Sequence, residues 1–206
     1  MNDIHLNKIN HQNWKLMMWL FLISDIFTFC GFINVFFALR LNSKTIWPNG
    51  DIVFTYVPLI GYNIPLAFVT IMTFILIMSS ISMYASTYEY KKSKKINSLI
   101  WLFFTILIGI MFIFCQSLEW IHLSNKGYWF GKIPIGHNVN YSNIFFAITG
   151  FHGIHVLIGI MINIFIFIKI YLEKRMHSYN FLNNAGLYWH FVDLIWVFIF
   201  TFIYLI

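Results

Sequence analysis

The sequence predicts an all-α polytopic membrane protein, a bundle of five transmembrane helices. Three observations predict it. Of 206 residues, 60% are hydrophobic and only 10% charged, where an average soluble domain carries roughly 25% charged residues. The 24 Phe, 8 Trp and 11 Tyr are more large side chains than a small water-soluble core hides. Five separate stretches each hold the roughly 20 apolar residues that cross a bilayer as a helix. In hydrocarbon the backbone must satisfy its own hydrogen bonds, so these stretches are read as helices.

The first span runs from about Trp14 to Leu39. The dozen residues before it are polar, and the apolar run is too long for a signal-peptide core and lacks a small-residue cleavage site, so it is expected to stay as a span. The second runs from about Ile64 to Tyr88, with Pro65 at its start, and the third from about Ile96 to His122. The fourth covers about Tyr141 to Tyr171 and the fifth about Leu187 to Ile206. Two connections are long, Asn42 to Asn63 and Leu123 to Asn140. They contain Pro48, Pro58 and Pro134 with Gly50, Gly61, Gly127, Gly131 and Gly136, which reads as ordered turns. No stretch leaves room for a soluble domain, so residues 1–206 are expected to form one transmembrane domain.

The net charge of +6 points to membrane flanks, not to nucleic acid. Lys8, Lys15, Lys91, Lys92, Lys94, Lys95, Lys169, Lys174 and Arg175 fall on one side of the five spans. Only Arg40, Lys44, Lys126 and Lys132 fall on the other. Basic residues concentrate in cytoplasmic loops, so the N-terminus is expected inside and the C-terminus outside. Cys30 and Cys115 stand alone in apolar surroundings and read as small buried hydrophobes.

Ionisable side chains at bilayer depth cost about 2.5–3.5 kcal/mol each on insertion scales and need a reason. Asp25 lies about eleven residues into the first span, roughly 16 Å above its inner end at 1.5 Å per residue. Glu119 is near the outer end of the third. His152 and His155 are in the fourth, His190 and Asp193 in the inner half of the fifth. On an ideal helix His152, Gly159 and Asn163 share a narrow band flanked by Thr149 and His155. Such a polar, small-residue stripe marks a helix–helix contact. His190, Asp193, Thr201 and Tyr204 share a face of the fifth span, with Gly186 a turn earlier. The i, i+3 spacing of His190 and Asp193 lets them meet. Spans four and five are therefore expected to pack through these stripes.

The intramembrane histidines number three, short of the six that a catalytic haem–copper subunit needs. The paired histidines of a dihaem cytochrome and the clusters of a membrane di-iron enzyme are also missing. The expected roles are accordingly structural, with the histidines bonded to neighbouring helices, no metal site and no catalytic residue. Asp25 keeps two readings: a packed, hydrogen-bonded carboxyl, or one that helps proton movement or lipid binding. Glu119, nearer the interface, reads as structural.

Four segments carry a family resemblance. Gly150–Gly159, G-F-H-G-I-H-V-L-I-G, resembles the G-x-H-G-x-H-V-x-x-G signature of haem–copper oxidase subunit III. Leu187–Trp196 contains Y-W-H-F-V-D-L-I-W, similar to that family's Y-W-H-F-V-D-x-x-W. Gln116–Trp120, Q-S-L-E-W, resembles its Q-x-x-E-[YW] element, and Trp19–Asp25, W-L-F-L-I-S-D, its first-helix W-x-F-x-x-S-[ED]. The order matches, and the resemblance covers nearly the whole chain. It is to the bacterial five-helix form, without the two extra N-terminal helices of the mitochondrial form. It implies a non-redox accessory subunit of a terminal oxidase that reduces oxygen to water. Haem and copper would lie in partner subunits I and II and none in this chain, with phospholipid bound in a cleft and the bacterial inner membrane as location. It also implies Asp25 and Glu119 as proton-uptake or lipid-cleft carboxylates, and His152, His155, His190 and Asp193 as motif packing residues. Position 25 is Asp where many of the family's cytochrome c oxidases have Glu and its quinol oxidases often have Asp, so a quinol oxidase is the alternative. Basic groups at the inner rim, Lys91, Lys92, Lys169 and Arg175, are expected to pair with anionic headgroups. A small secondary transporter would need a span broken at mid-membrane, and Pro65 sits at a span's start.

Overall fold

Each apolar stretch becomes a helix, and the first, third and fourth helices run past the apolar limits at both ends. The computed structural model describes residues 2–43, 47–48, 53, 66–134, 138–172 and 178–205, with side chains from Lys15 onward. Lys44, Gly50, Pro58, Gly61, Asn63, Ile64, Pro65, Gly136, Lys174, Arg175 and Ile206, and the side chains of Lys8 and Trp14, lie outside the described residues. Helix α1 covers Asn2–Leu41, α2 Ala67–Lys91, α3 Lys95–Asn125, α4 Val139–Leu172 and α5 Tyr179–Ile199, continued by a π-turn at Phe200–Tyr204. Five segments, Lys15–Leu41, Ala67–Lys91, Lys95–Asn125, Val139–Leu172 and Tyr179–Tyr204, are long and apolar enough to cross a membrane.

The fifth helix starts eight residues before the expected Leu187. Asn180, Asn183 and Asn184 dilute the apolar pattern there, but Leu182 and Ala185 are buried and extend the packed face by two turns. At the far end Leu205 N–H donates to Phe200 O at 3.2 Å, an i to i+5 bond that widens the last turn.

The α2–α3 hairpin is the tightest unit. Ser93, at φ 61°, closes α2 in the left-handed conformation. Lys94 N–H donates to Glu89 O and Ser93 N–H to Tyr90 O, both at 3.0 Å. This arrangement usually favours glycine. The turned-back helices are laced by hydroxyls. Ser82 donates to Trp101 O at 2.7 Å, Thr105 to Ser82 at 3.1 Å and Ser86 to Ser98 O at 2.9 Å. Hydroxyls are small enough for close approach and satisfy each other in a medium without water.

Helix α5 enters the groove between α3 and α4 with two tryptophans. A Cβ at Gly109 would sit 2.7 Å from the Trp189 ring, and one at Gly159 2.8 Å from it, so glycine at both positions is what admits the indole. Trp196 packs edge-on against Phe112 at 4.8 Å between centroids. Both indoles then donate onward to α2, Trp189 Nε1 to Ser79 Oγ and Trp196 Nε1 to Thr73 Oγ1, each at 3.0 Å.

Helix α1 is the most loosely held. Only one edge, Leu22, Asp25, Phe29 and Phe36, is buried. This places Cys30, expected inside, on the exposed side of α1, whereas Cys115 is buried. The correction follows from the period: Cys30 is one residue, about 100°, beyond buried Phe29.

Candidate functional site: polar centres within the bundle

Among the described residues, the ionisable side chains singled out above fall into four polar centres. The first joins α1 to α4. Asp25 Oδ2 lies 3.5 Å from His155 Nε2. His155 Nδ1 is 2.8 Å from its own helix carbonyl at Phe151. A carbonyl only accepts, so Nδ1 carries a hydrogen, and this tautomer assignment leaves Nε2 facing the carboxyl. One proton then suffices for the pair. It sits on Asp25 with neutral imidazole, or on Nε2 with carboxylate opposite imidazolium. Tyr188 donates to His155 O at 3.1 Å, fixing this turn of α4 against α5.

The second centre is His152, 1% exposed. Its ring lies 5.2 Å from Trp196 and 6.0 Å from Phe112. Neither ring nitrogen has a hydrogen-bond partner among the described residues. The expectation that every motif histidine bonds to a neighbouring helix fails here. Trp189 and Trp196 fill the groove that His152 faces, and Trp196 directs its only N–H to Thr73.

The third centre lies between α2 and α5. Ser80 Oγ is hydrogen-bonded to His190 Nδ1 and lies in reach of the Asp193 carboxyl. Ser79 Oγ is 3.4 Å from Asp193 Oδ2. His190 and Asp193 are thus linked through serines of α2, not packed on α4 as expected. The tryptophans occupy the α4-facing side of α5 and rotate this stripe away by about one residue, 100°. Between α4 and α5, Gly159 packs on Trp189 and His152 on Trp196, beside the Tyr188–His155 hydrogen bond. The predicted band of Thr149, His152, His155, Gly159 and Asn163 is buried throughout.

The fourth centre closes the opposite end. Glu119 Oε2 accepts from Gln116 Nε2 and from the Tyr204 hydroxyl, both at 2.9 Å. Tyr204 was expected on the His190 face, and the π-turn carries it to α3 instead. Among the described residues no three His, Cys, Asp or Glu side chains converge as a metal site requires.

Sequence reasoning missed the serines. Ser79, Ser82 and Ser86 repeat at i, i+3 and i+7 on α2, a visible polar stripe on an apolar helix, yet each residue alone is too mild to stand out.

Two open cavities flank the α2–α5 seam. One, about 430 Å³, has Ser80, His190 and Asp193 at its floor and Ile77, Ile81, Leu194 and Val197 as walls. The other, about 460 Å³, opens at the lysine-rich end, with Lys15, Lys91, Trp19, Tyr88, Asn183 and Asn184 around it. Tyr84 and His190 line both. Two other lysines of this end sit over aromatic rings: Lys92 over Tyr88 at 4.2 Å and Lys169 over Phe181 at 3.5 Å.

Comparisons with known proteins place the whole chain. A protein from Buchnera aphidicola, cytochrome bo(3) ubiquinol oxidase subunit 3, is 34% identical over 92% of this chain and 90% of its own. Cytochrome c oxidase subunit 3 of Rhipicephalus sanguineus is 33% identical over 94% of this chain and 73% of its own. A probable quinol oxidase subunit 3 of Staphylococcus saprophyticus is 33% identical over 93% and 88%. The family model described as cytochrome c oxidase subunit III matches residues 3–206, and the chain belongs to that family.

Proposed function

We propose that this chain is the non-redox subunit III of a terminal haem–copper oxidase in a bacterial plasma membrane. It stabilises the catalytic subunit I beside subunit II, holds phospholipid and supports proton uptake by the complex. The observation that carries this reading is the family match over residues 3–206, together with polar centres that tie helix to helix. Haem and copper belong to the partner subunits and none to this chain. Asp25, paired with His155, is the candidate carboxyl for proton uptake, with Glu119 at the opposite end. Lys15 and Lys91, at the lysine-rich end of the bundle, suit an anionic headgroup at the membrane surface. Lys92 and Lys169 are less suited to it, each being held over a ring.

For the electron donor we propose cytochrome c. Quinol is a second reading, favoured by Asp at position 25 and by similarity to quinol oxidase subunits from Buchnera and Staphylococcus. Purification through a tag on this chain tests both levels. Co-purification of haem- and copper-bearing subunits is expected, with no haem band from the chain alone. A haem band in the isolated chain overturns the accessory role. Oxidation of quinol but not reduced cytochrome c by the complex decides for the second reading.

A further inference from the structure

The seam between α2 and α5 has a feature that a lipid-facing surface should not have. His190 sits near the middle of the Tyr179–Tyr204 span, half-buried, and lines both cavities. Its Nδ1 is held by Ser80, and its Nε2 has no partner among the described residues. Just behind it Asp193, 6% exposed, has a buried Oδ1 that also lacks a partner. Polar groups at this depth are costly against acyl chains, and the surrounding walls are apolar and exposed: Ile81 by 55% and Leu194 by 53%.

The shape narrows the occupant. The two cavities share Tyr84 and His190 and so adjoin, and the α5 residues that line this valley run from Tyr179 to Val197. That is roughly 27 Å at 1.5 Å per residue, close to the hydrocarbon thickness of about 30 Å. A valley this long, open along one side, suits the ridge of a helix. A small ring compound instead needs an enclosing pocket. An acyl chain would fill the length and leave His190 unsatisfied. The partner group must also serve either tautomer. If Ser80 donates to Nδ1, Nε2 carries the hydrogen; if Nδ1 donates to Ser80, Nε2 accepts. Hydroxyl and amide side chains can do both.

We infer that the α2–α5 valley seats a transmembrane helix of another oxidase subunit, with a hydroxyl or amide side chain of that helix hydrogen-bonded to His190 near mid-membrane. The inference rests on the oxidase reading above and adds which face docks, by what chemistry. Interhelical hydrogen bonds of this kind favour association where the hydrophobic effect does not.

The test uses the oxidase complex assembled in membranes, with photo-reactive p-benzoylphenylalanine placed singly at Ile81 or Leu194. Controls carry it at Phe165 of α4 or Ile110 of α3, both exposed on other faces. Both valley positions are expected to cross-link to one apolar segment of another oxidase subunit, a segment that carries Ser, Thr, Asn, Gln or Tyr near its middle. The controls are expected to give little product. His190→Leu should lower the valley yield roughly fivefold or more, and His190→Gln should restore most of it. Adducts that are phospholipid, isoprenoid quinone or a second copy of this chain overturn the inference, as does equal yield from the controls. The wild-type side chain at 190 is kept in the mapping arm, so a folding defect in the leucine variant leaves that arm decisive. If oxidase subunits co-purify but the valley does not reach them, the inference falls and the oxidase reading stands. If none co-purifies, both fall.

Discussion

At the scale of single residues, Trp189 is the side chain on which most depends. Its ring needs Gly109 on one side and Gly159 on the other, and its N–H is anchored on Ser79. The indole is rigid and held at both ends, so it cannot swing from an added methyl. Gly159→Ala should destabilise the bundle by about 1–3 kcal/mol, seen as a lower thermal midpoint in detergent. Gly153, six residues earlier on the same helix, would gain a Cβ with nothing within 4 Å. Gly153→Ala should match or slightly exceed wild-type stability, and equal losses at the two positions would show that helix flexibility, not the indole, sets the requirement. The Asp25–His155 pair makes a different claim, about a proton. Asn keeps the size of Asp25 and can still meet Nε2, but it cannot titrate. Asp25→Asn is therefore expected to leave the haem spectrum and subunit retention of the complex unchanged while slowing proton-coupled turnover. Asp25→Ala should do the same and in addition weaken subunit retention. An Asn variant with wild-type turnover and lifetime across a pH series would assign Asp25 to packing alone.

At the scale of elements, the π-turn at Phe200–Tyr204 does what no regular helix end could. It carries the last turn of α5 around so that Tyr204 reaches Glu119 on α3. The extended chain of contacts, Gln116 to Glu119 to Tyr204, then clamps the end of the bundle opposite the lysines. Tyr204→Phe removes one of the two donors to Glu119 Oε2 and should cost about 1–3 kcal/mol. With Glu119→Gln already in place, the same change should cost measurably less, and strict additivity in a double-mutant cycle would show that the two side chains do not act together. These elements also show what a sequence reveals. The five spans were legible because length and hydropathy dominate in a bilayer. The band on α4 was legible because period and polarity coincide. The start of α5 was not, since its asparagines mask the buried Leu182 and Ala185. The π-turn leaves no pattern in residue type, so Tyr204 was assigned to the wrong face. The partners of His190 and Asp193 were hidden for a third reason: Trp189 and Trp196 claim the inner side of α5 and turn the ionisable pair toward α2.

At the scale of the whole molecule, the remaining question is which way the bundle sits. Among the described residues Lys15, Lys91, Lys92, Lys94, Lys95 and Lys169 gather at one end, and Arg40, Lys126 and Lys132 at the other. The first group is bound into the structure as well as counted. Lys94 faces Glu89 at 3.8 Å, and Lys95 donates to the Tyr171 carbonyl at 3.0 Å, so the α2–α3 turn and the end of α4 form one basic cap. Positive charge near span ends is retained on the cytoplasmic side, and acidic residues contribute little to that choice. The single Glu89 in this cap therefore does not weaken the bias. The lysine-rich end is expected in the cytoplasm, with the N-terminus, and the Trp129–Lys132 turn outside. Single cysteines test it: Ser93→Cys in the α2–α3 turn and Lys132→Cys at the opposite end. The background needs Cys30→Ser, since Cys30 is exposed, and Cys115→Ala, a small change at a buried site. A membrane-impermeant maleimide should label position 132 in intact cells and position 93 only after the membrane is opened. The reverse pattern would place the basic cap outside, and with it Lys15 and Lys91 on the side opposite to the anionic leaflet they are proposed to meet.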